Sequence, residues 1–555
     1  MGSEGTGMAA GRVMVIGLDA ATLDLARPWA EEGRLPNLAR FLRLGAAGPL
    51  ASTFPATSPA AWSTFATGLE PGAHGVTSFY QLRPDRYDPY LMNAARRRGT
   101  TFWETAGRQG IRGGILNVPF TFPPRPYNGF LISCMLTPAV GPRMATPPEA
   151  LHDLLAASPH YAIDVDLVRA AGQDPDQFLG QVLANLQARV EAAVGLYHKH
   201  RPPLFCVVFV AADRVSHFFW PYLEAARAGR ATTARQRRLG DAIGLVYEKL
   251  DEAVGMLLSE AGKETDIIIL SDHGAGPLHK GVSLHRLLAQ EGFLVEARAQ
   301  RTRRLVRSIV WRFARRAPRF VKAGVKSLAP RLSEAAAGMV ISSGIDFSRT
   351  RAYAAGCGVF VNLRGRQPCG VVEPGPQYED LRSALIALLS ELKDPETGQR
   401  VARRVCRREE IWSGPCLDLL PDVVVETEDE GYFMTAFGGR GARGVFFPLP
   451  PMSWTALTQR GGHRRDGLLL AMGPHIRQGE VRGAHIADVP ATVLALLGCP
   501  IPETYAGRVL SEMLTEDVPL PAGTPTAAAE EPATDDFTEA DRANVSRRLK
   551  GLGYQ

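Results

Sequence analysis

The sequence predicts an α/β protein: an open, mostly parallel sheet with helices on both faces, carrying insertions. Three observations lead there. Short, uninterrupted apolar runs recur along the chain, polar acids and histidines follow or flank them, and long amphipathic stretches separate them. An unbroken apolar run of about four to eight residues is how a strand buried on both faces reads, and strand–helix alternation lays such strands side by side in parallel. Sheets of this kind bind ligands at the carboxyl ends of their strands.

Taken in order, the first run is Val13–Leu18 (VMVIGL), and Asp19 follows it. Leu204–Ala212 repeats the pattern and leads into Asp213. Asp266–Leu270 (DIIIL) leads into Ser271-Asp272-His273, and Gly467–Met472 (GLLLAM) is the fourth candidate. Residues 174–198 and 235–261 are the long amphipathic stretches between them, read as helices. Around this frame, residues 1–10 are Gly-rich and read as a flexible N-terminus, while 11–514 read as one large domain with a basic insertion at about 298–340. Residues 515–555 read as a mostly disordered tail with a short helix at 537–550, because 515–540 are rich in Pro, Ala and acid.

At 555 residues the chain is long enough for two to four domains or for one large α/β enzyme with insertions. A composition of 45% hydrophobic and 22% charged residues excludes a mainly disordered chain, a collagen-like fibre and a coiled coil. No apolar run reaches the ~18–20 residues that span a bilayer. The start, MGSEGTGMAAGR, lacks the apolar segment of a secretory signal, although MGSEGT fits the loose myristoylation pattern. Seven cysteines are scattered without a CxxC pair, which fits a reducing compartment, so a cytoplasmic protein is expected.

The net charge of +6 is local. Residues 301–331 hold eleven Lys/Arg and no acid, and without them the balance is 6 − 11 = −5. No specific nucleic-acid binding is therefore expected. Cations there alternate with Leu305, Ile309, Trp311, Phe313 and Phe320, which suits peripheral contact with an anionic membrane. A lid over an anionic substrate and an insertion packed on the core are the competing readings of the same run.

The chemistry-bearing residues lie elsewhere. There is no GxSxG, HExxH or Walker A motif, and the glycine-rich GGRG at 438–441 stands alone. In Thr57-Ser58-Pro59, Pro59 suits the first helical position and Ser58 the N-cap, so Thr57 stands just ahead of a helix N-terminus. Free amides and the helix dipole favour an anion there, and a hydroxyl so placed can attack phosphate if a metal ion lowers its pKa. The plain alternative is an ordinary cap before a core helix. Asp213 and His217 are spaced by four, which puts both on one face if a helix begins there. Asp272-His273 is followed by Gly274 and Gly276, and Gly461-Gly462-His463 supplies a third glycine-flanked histidine. Each alone reads as a cap or a structural histidine. Together with Asp19 they amount to three Asp, three His and one Thr, the inventory of a two-metal site with oxygen and nitrogen ligands.

This constellation resembles the alkaline phosphatase superfamily, in particular its nucleotide pyrophosphatase/type I phosphodiesterase branch. The resemblance runs from about residue 12 to 512 and rests on Gly17-Leu18-Asp19, on residues 57–76 (TSPAAWSTFATGLEPGAHGV), on Asp213 with His217, on Ser271-Asp272-His273-Gly274, on residues 462–467 (GHRRDG) and on the late segment His485–Gly498. It implies an alkaline-phosphatase-like fold and two divalent metal ions, zinc or manganese, about 4 Å apart. One would be held by Asp19, Thr57, Asp272 and His273, the other by Asp213, His217 and His463. Thr57 would be the nucleophile, forming a phospho-threonine that water then hydrolyses, and a phosphate-containing small molecule would bridge the ions.

The implied function is a two-metal phosphohydrolase cleaving phosphodiester or pyrophosphate bonds. A phosphomonoesterase, phosphomutase or phosphotransferase on the same metals is the alternative, and a catalytically silent, metal-stabilised binding protein is the alternative from another class. Some positions depart from the relatives. Ser78 stands where phosphodiesterases carry an Asn that bonds a phosphate oxygen. TSPAA lacks the Cys and Arg of the sulfatase CxPxR pattern, and the large transferase insertion of the phosphoglycerate mutases has no counterpart in the sequence.

Overall fold

The computed structural model describes residues 11–297, 344–520, 523–524 and 537–550, apart from 84, 166–169, 171, 357, 428–430 and 437–443. The basic run 301–331, the GGRG at 438–441 and the first ten residues lie outside them.

Ten strands build the central sheet: β1 (Arg12–Leu18), β2 (Ala46–Ala51), β3 (Gly113–Leu116), β4 (Gly129–Ile132), β5 (Ala145–Thr146), β6 (Leu204–Phe209), β7 (Thr265–Leu270), β8 (Asp466–Met472), β9 (Gly479–Glu480) and β10 (Ala484–His485). Their spatial order is β9–β2–β8–β7–β1–β6–β3–β4–β5, with β10 also on β2. From β7 to β4 every neighbouring pair is parallel. The sheet is thus mostly parallel, as the sequence predicts. β5 is an antiparallel edge, and β8 runs antiparallel to both β7 and β2.

The unbroken apolar runs are explained by burial on both faces. Met14, Ile16 and Leu18 of β1 enter one core, and Val13 and Val15 enter the other. β6, β7 and β8 divide their side chains in the same alternating way. Helices Leu23–Glu31, Pro175–His200, Ala211–Arg227 and Ala242–Ala261 cover the first face, and Ser58–Thr67, Phe102–Arg108 and Asp488–Leu496 cover the second. The C-terminal helix Glu539–Lys550 joins the first core through Val545 and Leu549, with Phe537 just ahead of it. No helix among the described residues is long and apolar enough to cross a membrane.

Three sequence-level details change. The run 204–212 is not one strand: β6 ends at Phe209 and a helix begins at Ala211, so Asp213 lies in the first helical turn. The GLLLAM strand is antiparallel, so its start, rather than its end, lies beside the carboxyl end of β7. The stretch 235–261 is two helices, Ala234–Gly240 and Ala242–Ala261, separated at Asp241.

Between β7 and β8 the chain also builds a smaller layer that hydrophobic patterning did not reveal. Strands Ala352–Ala355, Gly358–Val361, Val423–Thr427 and Ala402–Arg407 form a four-stranded antiparallel sheet. The helix Pro376–Ser390 packs on it, and Leu385, Leu389, Val359 and Val423 belong to its own core.

Candidate active site

Parallel pairing brings the carboxyl ends of β6, β1 and β7 together: Leu18 is level with Phe209, and Gly17 with Leu270. Asp19, the helix carrying Asp213 and the pair Asp272-His273 therefore leave the sheet at one rim. His463 arrives by a different route. Gly461–Arg464 pairs antiparallel with Gly274–Pro277, placing His463 opposite Ala275. Glycine is required for this approach, because a Cβ on Gly461 would stand 1.9 Å from the Ser216 carbonyl oxygen. Gly17 is likewise small for a reason: a Cβ there would meet the Trp62 ring at 2.5 Å. Trp62 lies over β1 and donates its Nε1–H to Asp19 Oδ2 at 3.2 Å.

The six Asp and His residues form two adjoining groups, Asp19–Asp272–His273 and Asp213–His217–His463, and within each group all ligand atoms lie within 4.8 Å of one another. His273 Nε2 is 3.2 Å from Asp272 Oδ2 and 3.9 Å from Asp19 Oδ1. Asp213 Oδ1 is 3.2 Å from His217 Nε2 and 3.5 Å from His463 Nε2. The rings of His273 and His463 stack at 3.7 Å, joining the two groups.

All three imidazoles share one orientation. Nδ1 of His217 faces the Gly461 carbonyl, that of His273 the Gly274 carbonyl, and that of His463 the Ala56 carbonyl, each at 3.0 Å. A carbonyl oxygen has no hydrogen to give, so each Nδ1 carries a proton and each Nε2 is the nitrogen turned toward the carboxylates. This is how a metal-ligating histidine is usually held. Nε2 of His217 and of His463 face each other at 3.3 Å. His74, in the same 57–76 segment, is held the opposite way: its Nδ1 accepts from the Val76 N–H at 3.1 Å. Its Nε2 sits 3.0 Å from Thr64 Oγ1, and burial pushes its pKa down to about 3. His74 is a core residue of the helical segment.

The carboxylates tell the same story. Asp19 Oδ1, Asp213 Oδ1 and Asp272 Oδ2 are buried and accept no hydrogen bond, and they are the oxygens turned toward the imidazoles. Burial, then the charges of Asp272 and Asp213, hold Asp19 well above the usual carboxylate range. Burial and Asp213 push Asp272 up to about 7. At Asp213 burial acts in the same direction, but His217, His463 and Arg214 outweigh it and hold the group well below that range. Burial and the neighbouring His463 lower His273. Unpartnered buried carboxylate oxygens beside imidazole nitrogens form a donor set for divalent cations, and no hydrogen-bond donor among the described residues satisfies those oxygens.

Sequence reasoning missed the groups that orient this set. Arg214 donates to Asp213 Oδ2 and makes a 2.8 Å ion pair with buried Asp164, which leaves Asp213 Oδ1 to face the histidines. Its adjacency to Asp213 was visible in the sequence, but its partner fifty residues away was not. Ser58 is the other omission, its Oγ lying 3.1 Å from His273 Nε2.

Thr57 sits between the two groups in the chain. The preceding carbonyl, Ala56 O, holds His463, and the following side chain, Ser58, touches His273. Thr57 is itself the N-cap of the helix Ser58–Thr67, one residue earlier than the proline position predicts, with Pro59 second in the helix. Its hydroxyl does not cap the helix. It donates to the Thr77 carbonyl at 2.9 Å, so the first-turn amides are left to an outside acceptor.

Comparison with known proteins decides the family. The model of the type I phosphodiesterase/nucleotide pyrophosphatase family matches residues 13–444. The chain belongs to that family. It is thereby a phosphoric ester hydrolase of the phosphodiesterase/pyrophosphatase type, within the alkaline phosphatase superfamily and a metal-dependent group of enzymes. No curated protein matches it in sequence. Among solved structures, phosphonoacetate hydrolase from Sinorhizobium meliloti, in complex with phosphonoformate, is similar at 14% identity and a TM-score of 0.52, covering 89% of this chain and 98% of that one. Human ectonucleotide pyrophosphatase/phosphodiesterase 5 is similar at 13% identity and a TM-score of 0.50, covering 91% and 100%. These likenesses show the alkaline-phosphatase-like fold.

Proposed function

We propose that this chain hydrolyses phosphodiester or pyrophosphate bonds with two divalent metal ions and a covalent phospho-threonine at Thr57. The observation that carries the reading is the set of three unpartnered buried carboxylate oxygens facing three Nε2 nitrogens beside Thr57. Asp19, Asp272 and His273, with the Thr57 hydroxyl, would hold one ion, and Asp213, His217 and His463 the other. Zinc and manganese both suit this donor set. Bound ions would supply Lewis-acid stabilisation of negative charge on the attacking and departing oxygens.

The rest is the work of the chain's own groups. The Thr57 hydroxyl leaves the Thr77 carbonyl, releases its proton to solvent water and attacks phosphorus, and the bond to the departing oxygen breaks, that oxygen leaving as the anion or taking a proton from water. The free first-turn amides of Ser58 and Ala60 face the developing charge on the phosphoryl group. Water then attacks the phospho-threonine and restores the hydroxyl. Ser78, one residue after Thr77, provides a short hydroxyl donor where relatives use Asn. The neighbour's complexes with phosphonoformate and phosphonoacetate support a small anionic phosphorus compound as substrate.

The deciding assay is turnover of bis(p-nitrophenyl) phosphate against p-nitrophenyl phosphate, each with zinc or manganese and with chelator. A faster diesterase activity abolished by chelator is expected. A faster monoesterase activity would move the assignment to the phosphomonoesterase alternative, and chelator-resistant turnover would overturn the metal site.

A further inference from the structure

The C-terminal helix Glu539–Lys550 is joined to the ion site through one side chain. It is seated by Val545 and Leu549 in the core of the first face, by Phe537 stacked on Phe122 with ring centres 5.3 Å apart, and by an ion pair of 2.8 Å between Asp541 and Arg143. Near its end, Arg548 Nη1 donates to the Met135 carbonyl at 2.5 Å and to the Thr137 carbonyl at 2.8 Å, and Nη2 to the Pro138 carbonyl at 3.4 Å. A guanidinium, with its donors in one rigid plane, can gather several carbonyls in this way, whereas an ammonium is a single point. The loop so gathered, residues 133–138, leaves the carboxyl end of β4, and β4, β3 and β6 are parallel, so it starts from the same rim of the sheet as Asp213. Met135 turns its sulfur to Arg214, whose Nη2 donates to Met135 Sδ at 3.4 Å. Met135 and Arg214 are each only 3% exposed, so each is placed by what it touches. The other donors of Arg214 hold Asp213 Oδ2 and Asp164, leaving Asp213 Oδ1 to face His217 and His463. Contacts therefore run without a gap from Arg548 through Met135 and Arg214 to a proposed metal ligand. Charge acts along the same line: burial opposes ionisation of Asp164, but Arg214, then Arg189 and Arg548, hold it below the usual carboxylate range.

Building on the proposed two-metal reading, we infer that Arg548 is a positioning residue for the half-site of Asp213, His217 and His463: the C-terminal helix sets the loop 133–138, and through Met135 it sets the Arg214 side chain that aims Asp213. The other half-site lies off this path, because Asp19 is held by Trp62 and Asp272 by the Ala20 N–H. Loss of Arg548 should therefore loosen one ion and spare the other, which general damage to the fold would not do. Partners that orient a metal ligand directly are worth about 10- to 100-fold in metal affinity, so a residue acting through Met135 and Arg214 should be worth less, about fivefold.

Manganese titrated calorimetrically into the full chain, first stripped of metal and dialysed free of chelator, tests this. In Arg548→Ala one of the two sites should weaken about fivefold and the other stay within about twofold. Arg548→Lys should recover part of the loss, and Arg547→Ala, which removes the same charge from the exposed neighbouring position, should change neither site. Met135→Leu conserves volume and leaves Arg548 in place, so it carries the test even if Arg548→Ala fails to fold. It should weaken the same site, and adding Arg548→Ala to it should weaken that site no further, since both act along one path. In His463→Ala, which removes the second ion, Arg548→Ala should have no effect on the ion that remains. Equal weakening of both sites, equal effects of Arg547→Ala and Arg548→Ala, or unchanged binding in both Arg548→Ala and Met135→Leu overturns the inference. If the wild type binds neither manganese nor zinc, it is the two-metal reading that fails, and methyl-¹³C-methionine spectra of the metal-free chain decide the positioning role. A shift of the Met135 methyl resonance in Arg548→Ala and not in Arg547→Ala keeps Arg548 as the group that sets Met135, and no shift in either overturns it.

Discussion

Asp422 and the carboxylates at the rim of the central sheet are equally buried, yet they are built for opposite ends. Asp422 lies in the four-stranded layer just before Val423–Thr427. One of its oxygens accepts from Arg366 Nη1 at 2.7 Å and Tyr378 at 2.6 Å, and the other from Arg366 Nη2 at 2.5 Å and the Val361 N–H at 2.7 Å. Every lone pair has a donor within the chain. Asp19, Asp213 and Asp272 each keep one buried oxygen with none. A carboxylate saturated by the chain is part of the structure, whereas a carboxylate held in place by Trp62, Arg214 or the Ala20 N–H, but left open on its inner side, is waiting for a cation.

The comparison can be broken in four ways. The largest effect is on chemistry. Thr57→Ala should lower kcat on bis(p-nitrophenyl) phosphate roughly 10³-fold or more with an unchanged circular dichroism spectrum, and Thr57→Ser should recover part of it. Wild-type turnover in the alanine variant would remove Thr57 from the reaction. Next comes Asp422→Asn, which strands Arg366 without its counter-charge. It should cost roughly 3–5 kcal/mol in urea unfolding, whether or not ions are present. A neutral result would mean that the Asp422 network contributes nothing.

The sharpest test is a reversal of sign at Asp19. In chelator-treated protein Asp19→Asn removes a buried charge crowded by Asp272 and Asp213, so stability should rise by about 1 kcal/mol. In metal-loaded protein the same change removes a ligand and should lower both stability and metal content, read by thermal unfolding and by elemental analysis. His463→Ala should likewise bring the metal content from two equivalents to one. Destabilisation of equal size with and without ions would show that Asp19 is merely structural.

The smallest effect concerns a paired surface acid. Asp153 lies 2.5 Å from Lys199 Nζ and 2.8 Å from His200 Nε2. Slight burial opposes ionisation, but the hydrogen bonds from Lys199 and His200 and the Lys199 charge hold its pKa below the ordinary 3.8. A group with a depressed folded pKa contributes stability that is present above its unfolded value and lost as pH falls through the folded one. Asp153→Asn should therefore lower stability by less than about 1 kcal/mol near neutral pH and make no difference below the folded pKa. A loss that persists in strong acid would have to come from packing.

The sequence by itself pointed to the mostly parallel sheet, the order of its main elements and all seven proposed ligand and nucleophile positions, His463 among them as a glycine-flanked histidine. It could do so because a strand buried on both faces must be apolar without interruption, as in Val13–Leu18 and Asp266–Leu270, so the first polar residue after it marks the rim. Asp19, Asp272 and His273 are legible for that reason, and Asp213 and His217 through their helical spacing. Thr57 was legible as the residue before a cap, although the cap proved to be Thr57 itself. Only the tertiary structure decided the rest. His463 reaches the rim because β8 is antiparallel and its start lies beside the end of β7, a pairing that local pattern does not encode. The Nδ1–carbonyl contacts of His217 with Gly461 and of His463 with Ala56, and the pairing of Arg214 with Asp164, join residues far apart in the chain. The small layer around Asp422 escaped notice because its strands are short and its charges are neutralised by partners dozens of residues away. Apolar periodicity reports which side of an element is buried; which polar atoms meet there, and which are left open, is settled by packing.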